Sequence, residues 1–261
     1  AQRRRMGGGA GGGPQDPGPV SPPRFHVRAA APGARLVLTE PSAHHAREVL
    51  RLRAGAPVRV FDGAGAEFEA VLDEVTRRAV TARVTGAATP RPESPLRLVL
   101  AIPPLKGDRM ELVIQKATEL GVAEVWPVIT ARTDAAARPA LQGSRQERWE
   151  KVASGAAEQC GRAVVPLLAS TVTFEALLRA PFDGRRIAFL ETPGQPVLAR
   201  EPRPQATLAL VGPAGGFEAW EAKSLLAAGF EAAGLGPRIL RAETAALAAL
   251  TLLQVLWGDL A

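Results

Sequence analysis

Cysteine is nearly missing from this chain: Cys160 stands alone among 261 residues, which excludes an intramolecular disulfide. No Cys/His group has the spacing of a structural zinc site either, so a reducing compartment, the cytoplasm, is the expectation. Long apolar runs are absent too. Nothing approaches the ~20 residues that cross a bilayer, whereas 46% hydrophobic residues supply a core for one large domain or two smaller ones. Lysine is scarce: with only Lys106, Lys116, Lys151 and Lys223, the other 28 of 32 cations are arginine, and 26 acids leave a net charge of +6. Guanidinium is the better fork for phosphate and stacks on bases, so the balance reads either as a polyanion-binding surface or as coding bias toward arginine. The dinucleotide pattern G-x-G-x-x-G and the lysine of a phosphate-binding P-loop are also lacking.

Residues 1 to 23 hold Arg3, Arg4 and Arg5, a glycine tract and several prolines, with too few apolar side chains to offset the entropy of ordering. They read as a disordered tail that either grips RNA loosely or is a remnant upstream of Met6. No apolar stretch of signal-peptide type is present. From Arg24 to about Gly86, short alternating segments such as PVRVF and EFEAVLDEV predict a small β-rich domain, with one helix from about Pro41 to Leu52. Ala87 to Pro95, holding three prolines and almost nothing apolar, predicts a linker.

Beyond it, strands alternate with helices, the pattern of a mostly parallel sheet covered on its faces. LRLVLAI, VAEVWPV, RRIAFLE and TLALVG predict strands. Asp108 with Glu111, and Ser144 with Glu147, have the spacing of capping boxes at two helix starts. Further helices are predicted from Glu218 to Ala228 and from about Glu243 to Leu256.

Two loops draw attention. In TLALVGPAGGFEAWEAK a buried strand runs into Gly212-Pro213-Ala214-Gly215-Gly216 before a helix, and ligands of open α/β sheets bind beyond strand carboxyl ends, where glycine lets backbone approach them. An ordinary strand-to-helix turn is the plainer alternative. One helix and one short strand later, AGLGPRILRAETAAL brings Arg238 and Arg241, suited to an anionic ligand, or to an ion pair between Arg241 and Glu243 at a helix start. His26, His44 and His45 lack a placed acid or nucleophile and read as structural, and Cys160 reads as an inert thiol.

Six blocks in order, RFHV, HHAREVLRLRAGAPVRVFDGAGAEFEAVL, KGDRMELVIQKATELGV, RWEKVASGAAEQCGR, LVGPAGGFEAWE and LGPRILRAETAALAALTLLQ, resemble the ribosomal RNA small subunit methyltransferase E family. The likeness covers nearly everything from Arg24 onward. It implies an α/β fold in which residues 24–90 form a smaller N-terminal PUA-like β-barrel for RNA. Residues 95–261 would form a SPOUT-type knotted α/β methyltransferase domain, its last turns tied in a trefoil knot. The expected activity is methylation of N3 of a specific uridine in 16S ribosomal RNA of the small ribosomal subunit. S-adenosyl-L-methionine is the implied cofactor, and a cytoplasmic homodimer with no metal and no membrane contact is the implied form.

By the same resemblance the cofactor would lie against Leu210, Gly212, Gly215 and Gly216 of the first loop and Leu235, Gly236, Ile239, Leu240 and Ala245 of the second. Arg241 or Arg238 would stabilise the developing uracil anion, and Glu243 would accept the proton. Arg24, Arg28, Arg47, Arg51 and Arg53 would neutralise phosphates, while Lys106, Arg109, Lys116 and Arg162 would line the approach. The family usually reads Gly-Pro-Glu-Gly-Gly where this chain has Ala214; Glu218 or Glu243 could stand in for that carboxylate. The alternatives are a catalytically impaired RNA-binding or ribosome-assembly protein of the same fold, and a nucleotide enzyme acting on a small metabolite.

Overall fold

The computed structural model describes residues 22–134, 144–191, 198 and 200–260. Of the tail expected over residues 1–23, residues 1–21 lie outside the described residues, as does the part of the final domain at 135–143, 192–197, 199 and 261.

The N-terminal part is a five-stranded sheet in the order β1-β3-β4-β5-β2, built from β1 (Arg24–His26), β2 (Arg35–Val37), β3 (Pro57–Phe61), β4 (Glu67–Val75) and β5 (Val80–Ala88). Its pairs are antiparallel except β1 with β3. Alternation decides which side faces in: Val58 and Val60 of β3, Ala70 and Leu72 of β4 and Val80, Ala82 and Val84 of β5 close one core with Phe25. The helix expected over residues 41–52 is shorter and less regular. One α-turn, α1 (Ser42–His44), runs into a π-helical turn (His45–Val49), and Arg51 then adopts φ 51°, the one non-glycine residue with positive φ among those described.

After residues 89–96 comes a parallel sheet. β6 (Arg97–Ile102), β7 (Val122–Ile129), β8 (Leu167–Leu168), β10 (Arg185–Phe189), β11 (Ala206–Val211) and β12 (Glu231–Ala233) lie in the order β12-β10-β11-β6-β7-β8, and β9 (Val172–Thr173) pairs with β7. Both faces are covered, which is why residues 98–102 of β6 and 208–211 of β11 read as unbroken apolar runs. Leu98, Leu100 and Ile102 of β6 with Ala209 and Val211 of β11 meet α2 (Arg109–Glu119), α3 (Ser144–Cys160) and α6 (Ala242–Trp257). Val99 and Ala101 with Leu208 and Leu210 meet α4 (Phe174–Arg179) and α5 (Ala219–Ala227). After β11 the chain crosses back so that β12 pairs with β10 rather than β11.

One expected cap is replaced. Asp108 makes no side-chain cap bond, and Glu111 instead meets Arg148 at 2.8 Å, tying α2 to α3. Ser144 begins α3 as expected, but its side chain lies outside the described residues.

The two sheets are docked by partly buried polar contacts. Arg24 bonds Glu67 at 2.8 Å and donates to the carbonyls of Ala157 (3.0 Å), Glu158 (3.3 Å) and Arg162 (3.0 Å) at the end of α3. Glu158 Oε1 accepts from the His26 backbone N–H and the Ser42 hydroxyl, both at 2.8 Å. Phe61, Ala157 and Ala163 pack beside these contacts. The expectation that Arg24 neutralises phosphate is therefore corrected: its donors are spent on carbonyls that a helix end leaves unpaired. Arg162 is corrected for the same reason, since it pairs with Glu93 at 2.6 Å and donates to the carbonyls of Thr118 (2.8 Å) and Val122 (3.0 Å).

Candidate active site

Three parallel strands end side by side. β12, β10 and β11 are neighbours, so the segments leaving their carboxyl ends converge. Between those segments lies a cavity of about 460 Å³. Of the residues expected at the cofactor, Gly212, Gly216, Leu235, Gly236, Ile239, Leu240 and Ala245 line it, as does Arg238. The structure brings the two glycine loops together.

It also separates some residues from the cavity. Leu210 is fully buried against the α4 and α5 face, and Gly215 sits at the exposed tip of its turn, its carbonyl bonded to Arg132. Arg241 is the exposed N-cap of α6, without a side-chain capping bond. Glu243 is 9% exposed, and its Oε2 has no hydrogen-bond partner; neither Arg241 nor Glu243 lines the cavity. The ion pair considered between them is not among the described contacts.

Glycine is needed here for identifiable reasons. Gly216 has φ 70°, and a Cβ there would come within 3.3 Å of Glu191 Oε2. A Cβ at Gly212 would lie 3.0 Å from the Phe217 ring, itself a wall of the cavity. Backbone therefore forms the floor, and Phe189, Val211, Leu235 and Leu240 give apolar walls. An adenosine with a charged sulfonium arm suits such a place: a flat apolar group against side chains, with polar edges toward exposed backbone.

Sequence reasoning missed the contribution of β10. The sequence pairs two loops and is silent on what stands between their strands; β10 lies between β11 and β12 and adds Phe189, Leu190 and Glu191 to the lining. The run RRIAFLE ends in an acid just past a buried strand, and that acid was the available signal. Arg132 was missed as well. It lies after β7, where its Nε donates to Glu218 Oε1 at 2.8 Å and its guanidinium holds the Gly215 carbonyl. The Glu218 hydrogen bond, then its charge, raises the Arg132 pKa further above its already basic value.

The basic side chains divide. Arg28, Arg51, Arg53 and Arg109 are exposed. Arg47 is held by Glu48 at 2.9 Å and Glu40 at 3.5 Å, Lys106 by Asp134 at 2.5 Å, and Lys116 by Glu119 at 2.8 Å.

The profile of the RNA methyltransferase domain matches residues 92–254, and that of the RNA methyltransferase PUA domain matches 38–85. Ribosomal RNA small subunit methyltransferase E of Bacillus subtilis (strain 168) is 32% identical over 235 residues, 85% of this chain and 92% of that one. The chain belongs to the ribosomal RNA small subunit methyltransferase E family. Its counterpart from Neisseria gonorrhoeae, solved bound to S-adenosyl methionine, is 34% identical, with TM-score 0.81 over 92% of this chain and 100% of the other. A Legionella pneumophila protein solved with the same cofactor is 32% identical, with TM-score 0.81 and the same coverage. The fold is accordingly a PUA-like sheet followed by a SPOUT-type α/β methyltransferase domain, and the chain is an enzyme of that family.

Proposed function

We propose that this chain methylates N3 of a specific uridine in 16S ribosomal RNA of the small ribosomal subunit, with S-adenosyl-L-methionine as donor. The reading further takes it as a cytoplasmic homodimer in which residues 24–90 help to dock RNA and residues 95–261 carry out the transfer. The observation that carries it is the glycine-floored cavity where the ends of β10, β11 and β12 converge, in a chain of this family. Support for pairing of two copies comes from α6: Thr244, Thr251 and Val255 are exposed, and Glu243, its one charged residue, is buried.

When bound, S-adenosylmethionine supplies a methyl group on a sulfonium that departs as a neutral thioether, so the displacement itself requires no metal. Gly212, Gly216 and Gly236 keep the floor free of side chains, and Phe189, Val211 and Leu240 exclude water from the apolar end. Arg238, the arginine among the residues that line the cavity, stabilises negative charge on the uracil as its N3 proton is lost. Glu191, which also lines the cavity and whose Oε2 lies beside Gly216, takes that proton in place of Glu243, whose side chain is buried elsewhere. Arg241 is left to cap α6.

Exposed Arg28, Arg51, Arg53 and Arg109 supply phosphate contacts. Ala214 leaves the cavity formed, so no described feature favours the impaired alternative. The decisive experiment is mass spectrometry of 16S ribosomal RNA from cells lacking the protein. Loss of one N3-methyluridine, restored by the wild-type gene, is expected; unchanged N3-methyluridine would refute the reading. Calorimetry with S-adenosylmethionine and NAD separates it from a nucleotide enzyme.

A further inference from the structure

The turn from Pro213 to Glu218 is fastened from outside the cavity by a segment that contributes nothing to its lining. Arg132, two residues past Thr130, places its planar guanidinium across the turn, with Nε on the Glu218 carboxylate at 2.8 Å and another nitrogen on the Gly215 carbonyl. The neighbouring backbone is fixed independently. Glu221, fully buried, accepts from the Ala131 N–H and from the Glu218 N–H, each at 2.9 Å. Thr130 and Thr133 close the base of the segment through a bond of 2.7 Å from the Thr130 N–H to the Thr133 hydroxyl. Arginine is thereby presented on a rigid loop and reaches both the tip and the end of the turn.

We propose that Arg132 is a positioning residue for cofactor binding. By holding the Gly215 carbonyl outward and Glu218 in place, it sets the backbone of Gly216, the next residue, which lines the cavity with φ 70°. The carboxylate it needs comes from Glu218, so the turn keeps its shape with Ala214 at its exposed tip. An exposed ion pair stabilises a fold little, but a fork that fixes two points of a ligand-gripping turn lowers the entropy lost on binding. Lysine cannot replace it, because a point charge does not reach both acceptors in a fixed geometry.

The proposal rests on reading this turn as the cofactor's grip, and calorimetry with S-adenosylmethionine tests it without RNA. The N3 assignment and this device can therefore fail separately. R132A, R132K and E218Q should each weaken S-adenosylmethionine affinity roughly tenfold. The rate at saturating cofactor should stay within about threefold of wild type, and the double variant R132A/E218Q should be about as weak as either single one. Thermal unfolding close to wild type in each variant would confirm that the fold is intact. Affinity within about twofold of wild type in R132A would overturn the proposal. Wild-type affinity in R132K would overturn the forked geometry, and a rate collapse at saturation with intact affinity would make Arg132 a group that touches substrate.

Discussion

The two domains put their chemistry in different parts of the residue. In the N-terminal sheet the groups available to a partner are side chains at the surface, Arg28, Arg51 and Arg53, around a core closed by plain alternation. In the C-terminal sheet the site is mostly backbone, floored by glycines and shaped by where three parallel strands end. A charged surface weakens gradually as charges are removed and is screened by salt; a backbone floor fails at once when a Cβ intrudes. Losses in the second region should therefore be abrupt, and losses in the first graded.

The sharpest break is Gly216→Val. A branched side chain at φ 70° is strained, and its Cβ alone would sit 3.3 Å from Glu191 Oε2. Affinity for S-adenosylmethionine should fall by about a hundredfold or more, read by calorimetry, while RNA binding in a filter assay changes little. Retained cofactor affinity would show that the glycine floor does not hold the cofactor. Next comes the joint between the regions. Arg24→Ala leaves Glu67, whose side chain is 2% exposed, beside helix-end carbonyls that have lost their donor. Breaking such a buried pair costs about 3 kcal/mol, to be measured by urea unfolding, and an unchanged midpoint would show that the docking contact is dispensable.

What the sequence made legible follows the same division. Strands were readable wherever a residue's neighbours in sequence decide its burial: Val58 and Val60 alternate, and Leu208 to Val211 are apolar throughout because helices cover both faces. The glycine loops were readable because each follows a strand and sits within a block that resembles the family, although a Gly-Pro turn alone also suits an ordinary strand-to-helix connection. Strand order was not, since no local pattern tells β12 to pair with β10, and so Glu191, at the end of the strand between the two loops, stayed hidden. Arginine roles were the least legible. Arg24 and Arg53 look alike in sequence, yet one is partly buried against α3 and the other is exposed, a difference set by tertiary docking alone. The same limit hid Arg132, whose partner Glu218 lies 86 residues away.

The graded region is tested by salt. Arg51→Ala and Arg53→Ala should each weaken RNA binding a few-fold and reduce the slope of log affinity against log salt by about one, with cofactor affinity unaltered. Slopes equal to wild type would take these two residues off the RNA surface.

The smallest effect separates an ion pair from the packing around it. Arg185 bonds Glu231 at 2.5 Å and stacks over the Trp257 ring at 4.5 Å, binding β10 to β12 and to the end of α6. The hydrogen bond from Arg185, opposed by some desolvation and aided by its charge, holds the Glu231 carboxyl below the usual glutamate range. A depressed pKa stabilises the fold while pH stays above the ordinary glutamate value, and that contribution is lost as pH falls through the lowered one. Because Glu231 is half exposed, the loss is a few tenths of a kcal/mol. Glu231→Gln should remove this small acid-dependent part of stability, visible as a slightly flatter unfolding curve across that acid range. Arg185→Ala should cost more at every pH, because stacking on Trp257 does not titrate with Glu231. Equal costs for the two variants at neutral pH would assign the whole stabilisation to the ion pair.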